Sequence, residues 1–476
     1  MKFFDINDNK ILKISIICLP FLFIFSRFLL DFYISSLSLF FIINYFFIKK
    51  IDLKNIFIKI LFIFYIYILI NSFFSFDLII SFEKSIPYFR FIFYSIVLTI
   101  IFSKDIFSTE MLLKSFLITH TLLFIDSSIQ FFLGFNIFGY DVVNGRVSSF
   151  FFDELILGSY ISKTLPLILS LLFINKEKYS PTYQYYLIII SLLMAFYSAE
   201  RVGFITCILM SLFYIFISTS LKKFFILFLF FLLSIYSVLF LPSKNVERLF
   251  IHTYKQIKSS TNNTWPSFRH EIHADTAIKM FKDKLIFGQG FYSFRHLCSE
   301  EKFVPKEKIK NKNFYFSPQD GIFLKNGNIY SLMLKDKSII LLSESGNYFY
   351  EATNKINKEV KKNDKLFSSY EYKNGCNTHP HNFHLQFLSE IGIIGYSFLF
   401  IFFIYLLFEL IIYSSKKLLR RKSLSNIEKG YLITVFGLFL FIFPFFPSGN
   451  FFNNWLSIIF YTNLSIFLLC KNKINL

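Results

Sequence analysis

Charge is what this chain has least of: Asp, Glu, Lys and Arg make up 17% of its 476 residues, where soluble domains carry about 25%. Glycine (16) and proline (11) are scarce as well, which excludes collagen-like and low-complexity disordered chains. Five cysteines in such a length exclude a small disulfide scaffold. What fills the space is apolar. Hydrophobic residues reach 54% and mean hydropathy is +0.53, so the chain belongs in a membrane. The 72 Phe come with abundant Ile, Lys and Asn, a pattern of AT-rich coding, and are not read as a binding surface.

A helix crosses the hydrocarbon with roughly 20 mostly apolar residues. About twelve segments qualify, near 11–30, 31–48, 56–75, 86–102, 111–133, 154–174, 183–199, 202–219, 224–241, 393–414, 428–446 and 452–470. The first lacks a small-residue cleavage site and runs into the second, so it reads as a retained helix. The expected fold is an all-α polytopic membrane protein of about twelve transmembrane helices. Its domains are an N-terminal bundle (1–241), a large outer loop (242–380) and a C-terminal transmembrane segment (381–476).

Orientation follows from the basic residues of the short loops. Lys2, Lys10, Lys13, Lys49, Lys50, Lys54, Lys104, Lys176, Lys178, Lys222, Lys223, the run KKLLRRK at 416–422, Lys471 and Lys473 share one side if the spans alternate. They outnumber Arg27, Lys84, Arg90, Arg146 and Arg201 on the other. The positive-inside rule makes the first side cytoplasmic, with both termini inside and the long loop outside. Arg90, closing SFEKSIPYFR, reads as a headgroup anchor.

The outer loop changes period along its length. PSFRHEIHADTAIKMFKDKLIFGQG reads as a helix that places Arg269 and His273 on one face and stops at Gly288 and Gly290. DGIFLKNGNIYSLMLKDKSIILLSESGNYFYEA alternates apolar and polar residues and turns at Asn326-Gly327, Lys335-Asp336 and Ser345-Gly346, a small antiparallel β insert. Cys18, Cys207 and Cys470 fall within spans and read as small buried hydrophobes. Cys298 and Cys376 bracket the insert, and in an oxidising compartment they are expected to form a disulfide.

At the return to the membrane stands THPHNFHLQFLSEIGIIGYSFLF. His379, His381 and His384 crowd above a span. Three imidazoles would also suit zinc, but the stretch offers no convincing carboxylate or Cys ligand. A neutral imidazole can take a proton from a hydroxyl, and Glu390 or Asn382 is placed to fix its tautomer. Asp126 and Gln130 lie one turn apart in the fifth span, suited either to a lipid-carrier groove or to helix–helix hydrogen bonding. Asp153 and Glu154 read as N-terminal caps of the sixth.

HPHNFHLQFLSEIGIIG resembles the H-N, spacer, G-x-x-G motif of the O-antigen ligase and O-antigen polymerase superfamily, with His381, Asn382, Gly392 and Gly395 in register. The stretches at 126–166, SAERVGF at 198–204 and 268–294 are similar to the same family, in the expected order. The resemblance implies an inner-membrane glycosyltransferase with a periplasmic outer loop. It would move a glycan from undecaprenyl pyrophosphate to an acceptor: a lipid A core sugar for a ligase, a second lipid-linked glycan for a polymerase. It makes His381 the catalytic residue and Arg201, Arg269 and Arg146 substrate-binding, with Asn382 and Glu390 beside them. No cofactor or metal is called for. Arginine is always protonated and matches phosphate oxygens, so such residues can stabilise a pyrophosphate leaving group without a metal, and direct displacement would invert the anomeric centre. The partners are the lipid-linked donor, the acceptor and membrane lipids. The 23 Lys and Arg against 14 Asp and Glu of the outer loop suit an anionic acceptor. Nucleic acid is set aside because the basic charge is spread over membrane-flanking loops. A flippase or other polytopic transporter is the alternative, weakened by the lack of internal repeats.

Overall fold

The computed structural model describes residues 10–48, 56–219 (except 105, 176–178 and 180), 244–259, 265–305 (except 301), the strands within 322–360, 376–419 and 424–475. The described chain is mostly helical. In order it forms α1 (Lys10–Phe25), α2 (Arg27–Ile48), α3 (Ile56–Ser72), α4 (Leu78–Ser85), α5 (Phe89–Lys104), α6 (Ile106–Leu133), α7 (Leu157–Ile174), α8 (Pro181–Tyr197) and α9 (Arg201–Ser218). A π-helical stretch, Glu247–His252, leads into α10 (Thr253–Ser259). Then come α11 (Phe268–Asp283), α12 (Phe294–Leu297), α13 (Phe383–Leu419), α14 (Asn426–Phe441) and α15 (Asn454–Asn475). Among the described residues five helical stretches are long and apolar enough to cross a membrane: Leu78–Lys104, Phe107–Leu133, Leu157–Ile174, Arg201–Ser218 and Phe383–Leu418. The expected span at 224–241 lies outside the described residues.

Local chemistry moves several boundaries. The first two helices meet at Ser26, whose Oγ accepts from Leu29 N at 3.2 Å, so Arg27 opens the second helix instead of lying inside the first. Helix α4 starts at an Asp77 cap and passes through a 3-10 turn at Ile86–Tyr88 into α5, extending the expected 86–102 span outward. Helix α7 begins only at Leu157, without a side-chain cap. Glu154 is therefore not its cap and instead pairs with Arg27.

Among the described residues one apolar core runs from Ile16 to Cys470, joining helices from the beginning and the end of the chain. The C-terminal α14 and α15 pack against α7, and α15 also against α5. At the α7–α9 crossing a Cβ on Gly203 would come within 2.7 Å of the Gly158 backbone, which is why two glycines meet there. Cys207 and Cys470 are buried, but Cys18 is exposed, so it faces out of the bundle. In the outer segment, strands β1 (Ile322–Asn326), β2 (Ile329–Met333), β3 (Ile339–Leu342), β4 (Phe349–Thr353) and β5 (Ile356–Val360) pair antiparallel in sequence order. Their registers include Asn326 opposite Ile329 and Thr353 opposite Ile356. Cys298 and Cys376, with Cα atoms 4.8 Å apart, form a disulfide.

Candidate active site

The site is positioned by a break in α13. Gly392 has φ 66° and ψ −170°, outside the helical region, and it splits the helix one turn above its apolar run. Breaking a helix releases backbone groups that a membrane interior cannot solvate. Here the outer-loop segment after α11 takes them up. Ile393 N donates to Leu285 O at 2.9 Å, while Gln289 N and Gly290 N donate to Ser389 O and Glu390 O at 2.9 and 2.8 Å. From the other side Tyr67 Oη donates to Ile391 O and Asn71 Nδ2 to Phe287 O, each at 2.5 Å. A Cβ on Gly288 would meet Gly392 N at 2.6 Å, so both glycines are needed for the contact. The outer loop is thereby stapled to the start of α13.

That staple brings α11 over the turn before α13, where His381 sits with φ 54°, an uncommon conformation for a non-glycine residue. Its carbonyl accepts from Ser448 N at 2.9 Å, and its Nε2 lies 2.7 Å from Asn377 Nδ2. Since Asn377 Oδ1 accepts from Thr378 N at 2.6 Å, the amide presents its NH₂ to His381, which places the imidazole proton on Nδ1 by hydrogen-bond inference. Three further imidazoles surround this ring. The centroids of His379, His273 and His270 lie 4.2, 5.3 and 5.5 Å from it, with His273 buried and nearly parallel.

The three histidines of the linear motif do not converge. His384 turns into the bundle, with Nε2 2.7 Å from Ile442 O and Nδ1 3.2 Å from Tyr396 Oη. Neither candidate for orienting His381 touches it. Asn382 accepts from Leu385 N at 3.0 Å, an N-cap geometry, and donates to Pro444 O at 2.6 Å. Glu390 is buried two turns along, accepting from Phe294 N and Gln386 Nε2, both at 3.1 Å. It joins the outer loop to α13.

The arginines also separate by environment. Arg146 pairs with Glu200 at 3.1 Å and donates to Leu155 O at 2.6 Å. Burial raises the Glu200 carboxyl pKa against the pull of Arg146 and Lys163, and burial lowers that of Arg146. This pair holds the loop before α7 against the start of α9. Arg201, the first residue of α9, donates to Gln256 Oε1 on α10 and to Arg248 O. Arg269 occupies the second position of α11, next in sequence to His270. Helices α10 and α11 are in contact, so Arg201, Arg269 and His381 lie at the same end of the bundle.

A narrow cavity of about 40 Å³ joins these parts. Val202, beside Arg201, lines one wall, and Phe383 and Ser448, beside His381, line another. Lys163 of α7 also lines it, with Nζ 3.5 Å from Ser159 Oγ. This lysine was missed in the sequence reading, although an ammonium inside an apolar span is costly and therefore a signal of function. His270 and Asn377 were missed for another reason, and His273 was placed only on the face of Arg269: their meeting with His381 is a tertiary event.

Other polar residues have structural employment. Asp126 accepts from Ile137 N at 3.0 Å and Ser149 Oγ at 2.7 Å. Gln130 Oε1 accepts from Ser148 N and Ser149 N at 3.1 and 2.7 Å. Of the two roles open to this pair, the geometry selects neither a groove nor a helix–helix bond; they pin the 134–151 loop.

The O-antigen ligase family model matches residues 186–326, and a search of curated proteins finds no match. The matched segment includes Arg201, Arg269 and α11 and ends before His381. It supports the O-antigen ligase and polymerase superfamily, and with it a membrane enzyme of surface polysaccharide synthesis.

Proposed function

We propose that the protein is a twelve-span inner-membrane glycosyltransferase that moves a glycan from undecaprenyl pyrophosphate to an acceptor hydroxyl at the periplasmic face. The acceptor is a lipid A core sugar or a second lipid-linked glycan. Supporting the reading above all is the shared cavity, lined by Val202 next to Arg201, by Phe383 and Ser448 next to the His381 turn, and by Lys163. At about 40 Å³ it holds a single small polar group, so the bulk of a diphosphate would lie above it, towards Arg201 and Arg269.

In the proposed step the acceptor oxygen forms a bond to the anomeric carbon as the bond from that carbon to the pyrophosphate oxygen breaks. The electron pair leaves with the pyrophosphate. Arg201, Arg269 and the Lys163 ammonium offset the growing negative charge. His381 takes the acceptor proton, which requires the Asn377 amide to release Nε2 as substrate enters. Attack opposite the leaving group inverts the centre. The driving force is the activated donor, and we read the reaction as metal-independent.

We assign Arg146, Asn382 and Glu390 to holding the substrate site rather than to direct contact, because their bonds run to other parts of the chain. The test is a glycan ladder from cells carrying His381→Ala or Arg269→Ala. Long-chain glycan should be lost, by about 10²-fold or more, at normal membrane level of the protein. Wild-type glycan in both variants, or transfer by purified protein that a chelator abolishes and zinc restores, would overturn the mechanism.

A further inference from the structure

A second, larger cleft opens at the same end of the bundle, separated from the His381 turn by the FFNNW segment. Phe451 faces the His381 side, against Phe383 at 5.2 Å, whereas Phe452 and Trp455 line the cleft. Its volume is about 400 Å³, within the range of small-molecule sites. Asp31 and Arg90 meet inside it at 3.6 Å, and Asn454 Nδ2 donates to Asp31 Oδ2 at 2.5 Å. Arg90 is only 19% exposed, so it does not serve as the headgroup anchor expected from its sequence position. Its Nε is buried without a hydrogen-bond partner among the described residues. A buried donor left unsatisfied is costly, and a ligand's acceptor would offset that cost.

We propose that this cleft is a saccharide-binding subsite for the glycan handled by the transferase, an inference that rests on the reading above. The lining alternates donors and acceptors: guanidinium, carboxylate and amide groups stand side by side, as a ring of hydroxyls requires. Aromatic side chains supply apolar walls for the ring's C–H face, and Trp455 is held in place by its Nε1 donating to Phe23 O at 3.1 Å. The charges nearly cancel. Arg27 is paired with Glu154 and Lys84 with Glu83, so the cleft is a poor trap for an anion and a good match for a neutral polyhydroxylated ring.

The chain has two tryptophans, Trp265 and Trp455, so a Trp265→Phe protein reports on this cleft by the fluorescence of Trp455 alone. The probe is oligosaccharide released by mild acid from the surface glycan of the source cells, added to full-length protein in neutral detergent. A saturable signal change is expected, weakened about tenfold by Arg90→Gln and by the more exposed Asn454→Ala, which guards against misfolding of the first variant. No saturable change, or equal binding by both variants, overturns the subsite. Glycerol 1-phosphate binding as tightly as the glycan overturns it in favour of a lipid headgroup. His381→Ala protein should bind the probe like wild type. If that variant also transfers glycan normally, the transferase reading fails while the binding result stands; an inactive His381→Ala with no probe binding in any form sinks only the subsite.

Discussion

The Arg146 corner and the His381 corner lie at the same end of the bundle and use their polar groups in opposite ways. Around Arg146 the polar side chains face other parts of the chain: Glu200, Leu155 O and, nearby, the 134–151 loop held by Asp126 and Gln130. Around His381 four imidazoles gather, and Phe383 and Ser448 next to that turn line a cavity together with Lys163. The first arrangement is a latch. The second brings imidazoles together around one turn and turns a lysine ammonium into a cavity instead of an ion pair with a neighbouring loop, the arrangement expected of the proposed site.

Stability and activity should respond oppositely at the two corners. Arg146→Ala leaves a buried Glu200 without its partner and should cost about 3–5 kcal/mol, read as a lower Tm and reduced yield in detergent. Lys163→Met should do the reverse, with Tm unchanged or raised and transfer reduced tenfold or more, since an apolar chain of similar length replaces a buried ammonium, about 1.4 kcal/mol of lost transition-state binding per decade. If Lys163→Met destabilises the fold and Arg146→Ala spares it, the two corners have been assigned the wrong way round.

A smaller effect is expected at the outer-loop disulfide. Cys298 and Cys376 are 78 residues apart, and their double replacement by serine should lower stability by about 2–4 kcal/mol. Because α12 and the Gly392 staple hold the base of the loop independently, the helical bundle should keep its circular dichroism and lose protease resistance in the loop alone. Unfolding of the whole protein in one step with the loop would show that the bundle depends on the bridge.

The smallest effect concerns acid. The hydrogen bond from Gln289 Nε2 at 2.9 Å, followed by Lys302 at 3.3 Å, holds the Asp283 carboxyl below its usual pKa. A depressed folded-state pKa contributes stability above the unfolded value near 3.8 that is lost as pH falls through the folded value. Asp283→Asn should therefore flatten the loss of loop protection on acidification, followed by hydrogen exchange, with a slight loss at neutral pH. An unchanged acid profile would remove Asp283 from the account.

Much of the architecture was legible in advance because apolar length is a one-dimensional property. Eleven of the twelve expected segments coincide with described helices, and their errors are local: Ser26 caps α2, and Asp77 starts the helical run before Phe89. The site was legible only in part. His381, Arg201 and Arg269 stood out through a motif and through charge near span ends. Asn382 turns away from His381 because neighbours in sequence at a helix start point in different directions, and Glu390 lies two turns along, where it bonds Phe294 N and Gln386. His270 carried no mark at all, and His273 was marked only by sharing a helix face with Arg269.

Composition and hydropathy alone determined that this chain lives in a membrane, where its helices run and which ends carry the charge, since each depends on the transfer of nearby residues from water to hydrocarbon. Tertiary structure alone decided that α11 lies over the His381 turn, that Arg146 is a latch and that Lys163 faces the cavity. Those outcomes hinge on Gly392, where a broken helix must find backbone partners, and the partners it finds are more than a hundred residues upstream in Leu285.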